Sequence, residues 1–164
     1  MALPRSMLKY ARLGTPHVIM LIGAPASGKS TWILENNRDH TIISTDDLID
    51  AWASEMGLTY SEAWKQGDLK DFERQAKASF HEALAADKNI IIDRTNMSKK
   101  IRRKFLVHIP KHYMIFGIVF KADREELDRR LLLRPGKYIP PYVMDDMLNR
   151  YEEPTEDEFD EVFV

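Results

Sequence analysis

Gly23-Ala24-Pro25-Ala26-Ser27-Gly28-Lys29-Ser30 is the stretch that most limits what this chain can fold into. It follows the apolar run Val18 to Ile22 and precedes a helical pattern expected from about Gly28 to Arg38. A strand must deliver such a loop. Glycines then let the backbone turn its N–H groups inward, and a helix N-terminus presents its positive end at the centre. Extended by Thr31, the stretch reads as a phosphate cradle. Lys29 is expected to reach the β- and γ-phosphates of a bound nucleotide, and the Ser30 hydroxyl to hold Mg²⁺ between them.

Around the loop, β-rich runs alternate with helical patterns. Val18 to Ile22, Thr41 to Ser44, Asn89 to Asp93 and Met114 to Phe120 read as strands. Helices are expected over Leu48 to Met56, Asp71 to Ala86, Ser98 to Val107, Asp123 to Leu133 and Pro140 to Tyr151, with a short last strand within Phe159 to Val164. Asp123 and Glu126 have capping-box spacing. The alternation predicts a three-layer α/β/α fold with a mostly parallel sheet and a helical lid, its ligands gathered at the carboxyl ends of the strands. Gly57 to Gly67, with Tyr60 and Trp64, is read as a mobile flap or a short helix.

At 164 residues, one kinase-sized domain is expected over 17–164, with no room for a second. Residues 1–16 carry Arg5, Lys9 and Arg12 but are broken by Pro4 and Pro16, so they read as a loosely ordered extension and not a targeting helix. The absence of cysteine excludes disulfides, thiolate zinc sites and cysteine nucleophiles. No apolar run is long enough to cross a bilayer, so no membrane partner is expected and a cytoplasmic location is permitted. Seven acids and no base follow Tyr151; removing them from the net charge of −2 leaves +5 on residues 1–151, a surplus that suits a polyanionic ligand.

The second strand runs into Ser44-Thr45-Asp46-Asp47. A carboxylate there can take the proton of an attacking hydroxyl while Lys29, Mg²⁺ and an arginine stabilise the transferring phosphoryl group. Asp46 is the candidate base, with Asp47 in reserve; the alternative is that Thr45 or Asp46 only caps the next helix. Ile90-Ile91-Ile92-Asp93 resembles a Walker B element, in which the acid helps hold the water shell of Mg²⁺. Thr95 and Asn96 follow, placed to touch the acceptor or to cap a helix. Arg130 and Arg134 stand four apart and could fold over the ATP phosphates as a lid, or could simply complement a helix dipole. Lys99, Lys100, Arg102, Arg103 and Lys104 form either a track for a nucleic-acid backbone or a solvated face.

Taken in order, Gly23 to Thr31 with Trp32, Asp46-Asp47, Asp93-Arg94-Thr95-Asn96 and Arg130 to Pro140 resemble the motifs of polynucleotide 5′-hydroxyl kinases, those of bacteriophages and the kinase half of eukaryotic DNA end-repair enzymes. Tyr151 to Thr155 and Phe159 to Val162 are similar to the eukaryotic end, so the resemblance spans about residues 17–164. It implies ATP and Mg²⁺ at Lys29 and Ser30, a general base at Asp46, a lid arginine at Arg134, and a DNA or RNA end as acceptor. It also implies that a separate phosphatase or ligase completes any end repair. Where the family commonly carries an arginine just before the base, and the phage enzymes another three residues after it, this chain has Thr45 and Ile49. Three further readings share the half-site: a kinase for a hydroxymethylated base in DNA, a kinase for a nucleoside, sugar or antibiotic hydroxyl, and an ATP-driven switch.

Overall fold

The computed structural model describes residues 3–164. Five strands form one parallel sheet in the order β2-β3-β1-β4-β5: β1 (His17–Ile22), β2 (His40–Ile43), β3 (Asn89–Ile92), β4 (Met114–Val119) and β5 (Glu161–Phe163). Central β1 pairs with β3 from Val18↔Ile90 and with β4 along its whole length, from His17↔Met114 to Ile22↔Val119. Its side chains are all buried, which is why it reads as an unbroken apolar run.

Strand alternation divides the core between the two faces. Val18, Met20, Ile22, Ile90 and Ile92 pack with Phe80 of α5 (Leu69–Ala85) and Phe105 of α6 (Lys99–Leu106). Ile19, Leu21, Ile91, Phe116 and Ile118 face Trp32 of α2 (Lys29–Asn36) and Met7 of α1 (Arg5–Arg12). The three layers expected from the sequence are therefore present. The N-terminal segment departs from the loose extension expected of it, because α1 forms and Met7 is only 2% exposed. Met7, with Leu3 and Tyr10 packed against the same cluster, holds the helix on the sheet.

Of the two readings of Gly57 to Gly67, a mobile flap or a short helix, the structure shows the helix: α4 (Tyr60–Gln66) packs through Ala63 with Ile49 and Ala53 of α3 (Thr45–Met56) and Phe72 of α5. Its start is a full capping box between Thr59 and Glu62. The box expected at Asp123 is only half formed. Asp123 caps α7 (Arg124–Leu132) by accepting from the Glu126 N–H at 2.9 Å, but the Glu126 carboxylate turns to Arg129 and Arg130. The last helix, α8 (Pro141–Asn149), packs with α7 against the phosphate loop through Met144, Leu127, Met97 and Ala24.

Arg102 departs from the basic-face reading of α6. It is fully buried, donating from Nε and Nη2 to Glu158 at 2.8 and 3.1 Å, and from Nη1 to the carbonyls of Asn96 and Met97 at 2.9 and 3.2 Å. Its four basic neighbours, Lys99, Lys100, Arg103 and Lys104, are exposed. The acidic end is thereby tied to the body, helped by Asp160, which pairs with the Ile115 backbone through both its N–H and its carboxylate. Arg102→Ala strands Glu158 and two carbonyls, and should cost about 3–5 kcal/mol of unfolding free energy. Denaturant melts check this, and Arg102→Lys should recover little because it lacks the planar fork.

Candidate active site

The loop after β1 opens at the carboxyl end of the sheet's central strand, where open α/β sheets place their ligands. Gly23 is needed there for close packing: a Cβ on it would lie 2.5 Å from Ser27 Oγ and 3.0 Å from the Phe120 carbonyl. Gly28 caps α2 at φ 111°, and Ala26 holds φ 66°, a left-handed conformation costly for a side-chain-bearing residue. Lys29, the first residue of α2, is buried and folds back on the loop, donating to the carbonyls of Gly23 and Ala24 at 2.7 and 2.8 Å. Burial pulls its pKa down to about 8, with Lys137 and Arg134 adding repulsion and Asp93 and Asp46 opposing it.

A cleft of about 970 Å³ runs from this loop to α3. Its lining brings together the bases Lys29, Arg130, Arg134 and Lys137 and the acids Asp46, Asp47, Asp50 and Asp93. Arg130 donates to the Ala26 carbonyl at 3.0 Å, and so rests on the phosphate loop. Arg134 lies in the turn just beyond α7 and lines the same cleft. Ser30, Thr31 and Thr95 are also on its wall, and the Thr95 carbonyl accepts from the Gly23 N–H at 2.9 Å.

Ser44 settles which residue caps α3. Its hydroxyl accepts from the Asp47 N–H at 3.2 Å, so neither Thr45 nor Asp46 is the cap. The Asp46 carboxylate turns instead into the cleft. There Oδ1 accepts from the Tyr60 hydroxyl at 2.6 Å and Oδ2 from Lys137 Nζ at 3.2 Å. Burial works against its ionisation, but Lys137, Tyr60 and Lys29 outweigh it and hold the pKa below the usual carboxylate range. Asp47, Asp50 and Asp93 are pushed upward, by burial first and then by the neighbouring carboxylates.

Asn96 is not brought to the cleft. It is fully buried at φ 50° and donates to the Leu21 carbonyl at 2.7 Å, bracing β1 from behind; Ser98, not Thr95 or Asn96, caps α6. Tyr60, Arg94 and Lys137 lie within segments noted in the sequence, but nothing local in them assigns any of the three a place beside Asp46 or Asp93. Arg94 reaches Glu73 of α5 at 2.7 Å, and Glu73 also accepts from the Thr45 hydroxyl at 3.2 Å, so α5 steadies the floor between Asp46 and Asp93.

Residues 18–154 match the family model described as an AAA domain. The chain belongs to this AAA domain family. Its fold is that of a P-loop kinase, shared with several solved structures. A chain in the Pnkp1/Rnl/Hen1 RNA repair complex is similar at 24% identity over 83% of this chain and 44% of that one, with a TM-score of 0.64. A second structure of a Pnkp1/Rnl/Hen1 complex matches at 25% identity, 71% and 39% coverage, and a TM-score of 0.53. This AAA domain chain thus spans less than half the length of those two. A gluconokinase from Sinorhizobium meliloti 1021 matches at 20% identity over 92% of this chain and 82% of that one, with a TM-score of 0.55. No described helix is long and apolar enough to cross a membrane.

Proposed function

We propose that this protein transfers the γ-phosphate of ATP to a hydroxyl of nucleic acid, most directly the 5′-hydroxyl end of DNA or RNA. The observation that carries the reading is the Asp46 carboxylate, left free of capping and aimed into the cleft that also holds Lys29. A switch needs a residue that orients water; a hydroxyl kinase needs a carboxylate held ionised in the cleft, and Asp46 supplies one. The order of motifs and the likeness to RNA-repair chains favour a nucleic-acid acceptor. So does the exposed ring of Tyr138, one residue past Lys137, because such a ring offers a base a stacking face. A separate ligase or phosphatase would complete repair of the end.

In this mechanism the acceptor oxygen attacks the γ-phosphorus as its proton passes to Asp46, and ADP leaves. Lys29, Arg130 and Arg134 meet the phosphate oxygens, where charge builds. Ser30 and Asp93 would hold Mg²⁺: both present hard oxygen donors on the cleft wall, and the burial and neighbouring carboxylates that raise Asp93 suit a divalent cation. Bound Mg²⁺ supplies charge neutralisation at the phosphates.

Because Lys29 titrates at about 8 in the free protein, ATP affinity should fall as pH rises from 7 to 9. Binding should take up protons near pH 8, since the phosphates restore the lysine's charge. Calorimetry in two buffers of different ionisation heat measures that uptake.

A small-molecule acceptor is the second reading, favoured by the near full-length likeness to the gluconokinase. Labelled ATP incubated with 5′-hydroxyl DNA and RNA oligonucleotides, duplexes carrying hydroxymethylated bases, nucleosides, gluconate or buffer separates the readings. Label on the oligonucleotide 5′ end is expected. Label released only as free phosphate would sink the kinase reading.

A further inference from the structure

Both oxygens of the Asp46 carboxylate are engaged from outside α3, by Tyr60 on one side and Lys137 on the other. These two residues also touch each other, with Lys137 Nζ standing 4.2 Å from the centre of the Tyr60 ring. They arrive through one docking contact between α4 and the loop after α7. The Ser61 N–H donates to the Gly136 carbonyl at 3.1 Å, and the Tyr138 N–H donates to Ser61 Oγ at 3.0 Å. Gly136 makes the approach feasible: it sits at φ 79°, and a Cβ there would lie 3.2 Å from Thr59 Cβ. The segment from Arg130 to Tyr138 therefore touches the phosphate loop at one end and Asp46 at the other.

We propose that Tyr60 is a placeholder for the acceptor hydroxyl and that Lys137 is a positioning residue that aims the Asp46 carboxylate at it. The proposal rests on the reading of Asp46 as the base. The Tyr60 O–H donates to Oδ1 at 2.6 Å, the bond an acceptor O–H must make before transfer. The acceptor hydroxyl replaces the phenol on Oδ1, and the phenol turns to water. The acceptor oxygen then bonds to the γ-phosphorus, its proton moves to Oδ1, and the bond from phosphorus to the ADP oxygen breaks. Lys137 keeps the second oxygen fixed throughout. Tyr60 keeps its own proton, because burial and the Asp46 charge push its pKa far up, so it does not compete as a nucleophile. Asp47, Asp50, Asp93, Lys29, Arg94, Arg130, Arg134 and Glu35 are the other charged groups lining the cleft around this pair.

Tyr60→Phe keeps the ring under Lys137 and removes only the competing hydroxyl. The acceptor KM should fall about five- to tenfold with the ATP KM unchanged, a change on the scale of one net hydrogen bond. The dissociation constant of a 5′-hydroxyl oligonucleotide, read by fluorescence anisotropy without nucleotide, should fall by the same factor. Lys137→Met should lower kcat at least about tenfold, and Lys137→Arg should restore most of it while melting temperatures stay together. An acceptor KM and dissociation constant unchanged or raised in Tyr60→Phe would overturn the placeholder. A phosphate found on Tyr60 by mass spectrometry would do the same. Equal loss in Lys137→Met and Lys137→Arg would overturn the positioning role. If oligonucleotides are inert but gluconate or a nucleoside is phosphorylated, the acceptor class is wrong, and the same variants are read with that acceptor. No phosphorylation of any acceptor refutes both proposals.

Discussion

Asp46→Asn is expected to lower kcat by about a hundred- to ten-thousandfold while leaving ATP affinity within a few-fold. Asparagine has the size of aspartate and can still accept from the Tyr60 hydroxyl, so the rim formed by α4 and the lid loop should persist. What it loses is the capacity to take a proton and the charge that Lys137 pairs with. Single-turnover transfer and equilibrium nucleotide binding separate these effects. Full transfer activity in the variant would move the base elsewhere, with Asp47, on the same cleft wall, the next residue to replace.

Lys29→Met should lower kcat/KM for ATP by about a thousandfold or more, because on the proposed mechanism it removes the buried cation that would meet the transferring group. Its effect on the fold should be small, since two consequences oppose each other. The desolvated charge, which holds the lysine pKa down near 8, is relieved. The carbonyls of Gly23 and Ala24 lose the bonds that Lys29 donates to them. A melting temperature within a few degrees of the parent, together with lost turnover, would separate the chemical role from a structural one. Wild-type turnover would remove Lys29 from the mechanism.

The loop, the four long strands and most helices were legible because each is written in a contiguous segment. Val18 to Ile22 is apolar throughout since β1 is covered on both faces, and the run from Gly23 to Ser30 carries its own backbone requirements. Helix starts were harder to read. Ser44, not Leu48, marks the entry to α3, and that one turn decides whether Asp46 serves as a cap or faces the cleft. Arg102 reads as one more charge in a basic helix until Glu158, far along the chain, is folded onto it. Asn96 reads as polar and available, yet it is sealed against β1 by its bond to Leu21.

The phosphate loop and the parallel α/β frame around it were determined by the sequence alone, since both depend on neighbouring residues and on periodicities of two and 3.6. The acceptor side was decided only in three dimensions. Tyr60 comes from a segment that could have been a flap, and Lys137 from a loop after the lid helix; they meet Asp46 because Gly136 lets α4 dock on that loop. A carboxylate's partners depend on distances between residues remote in sequence, and no local pattern encodes them.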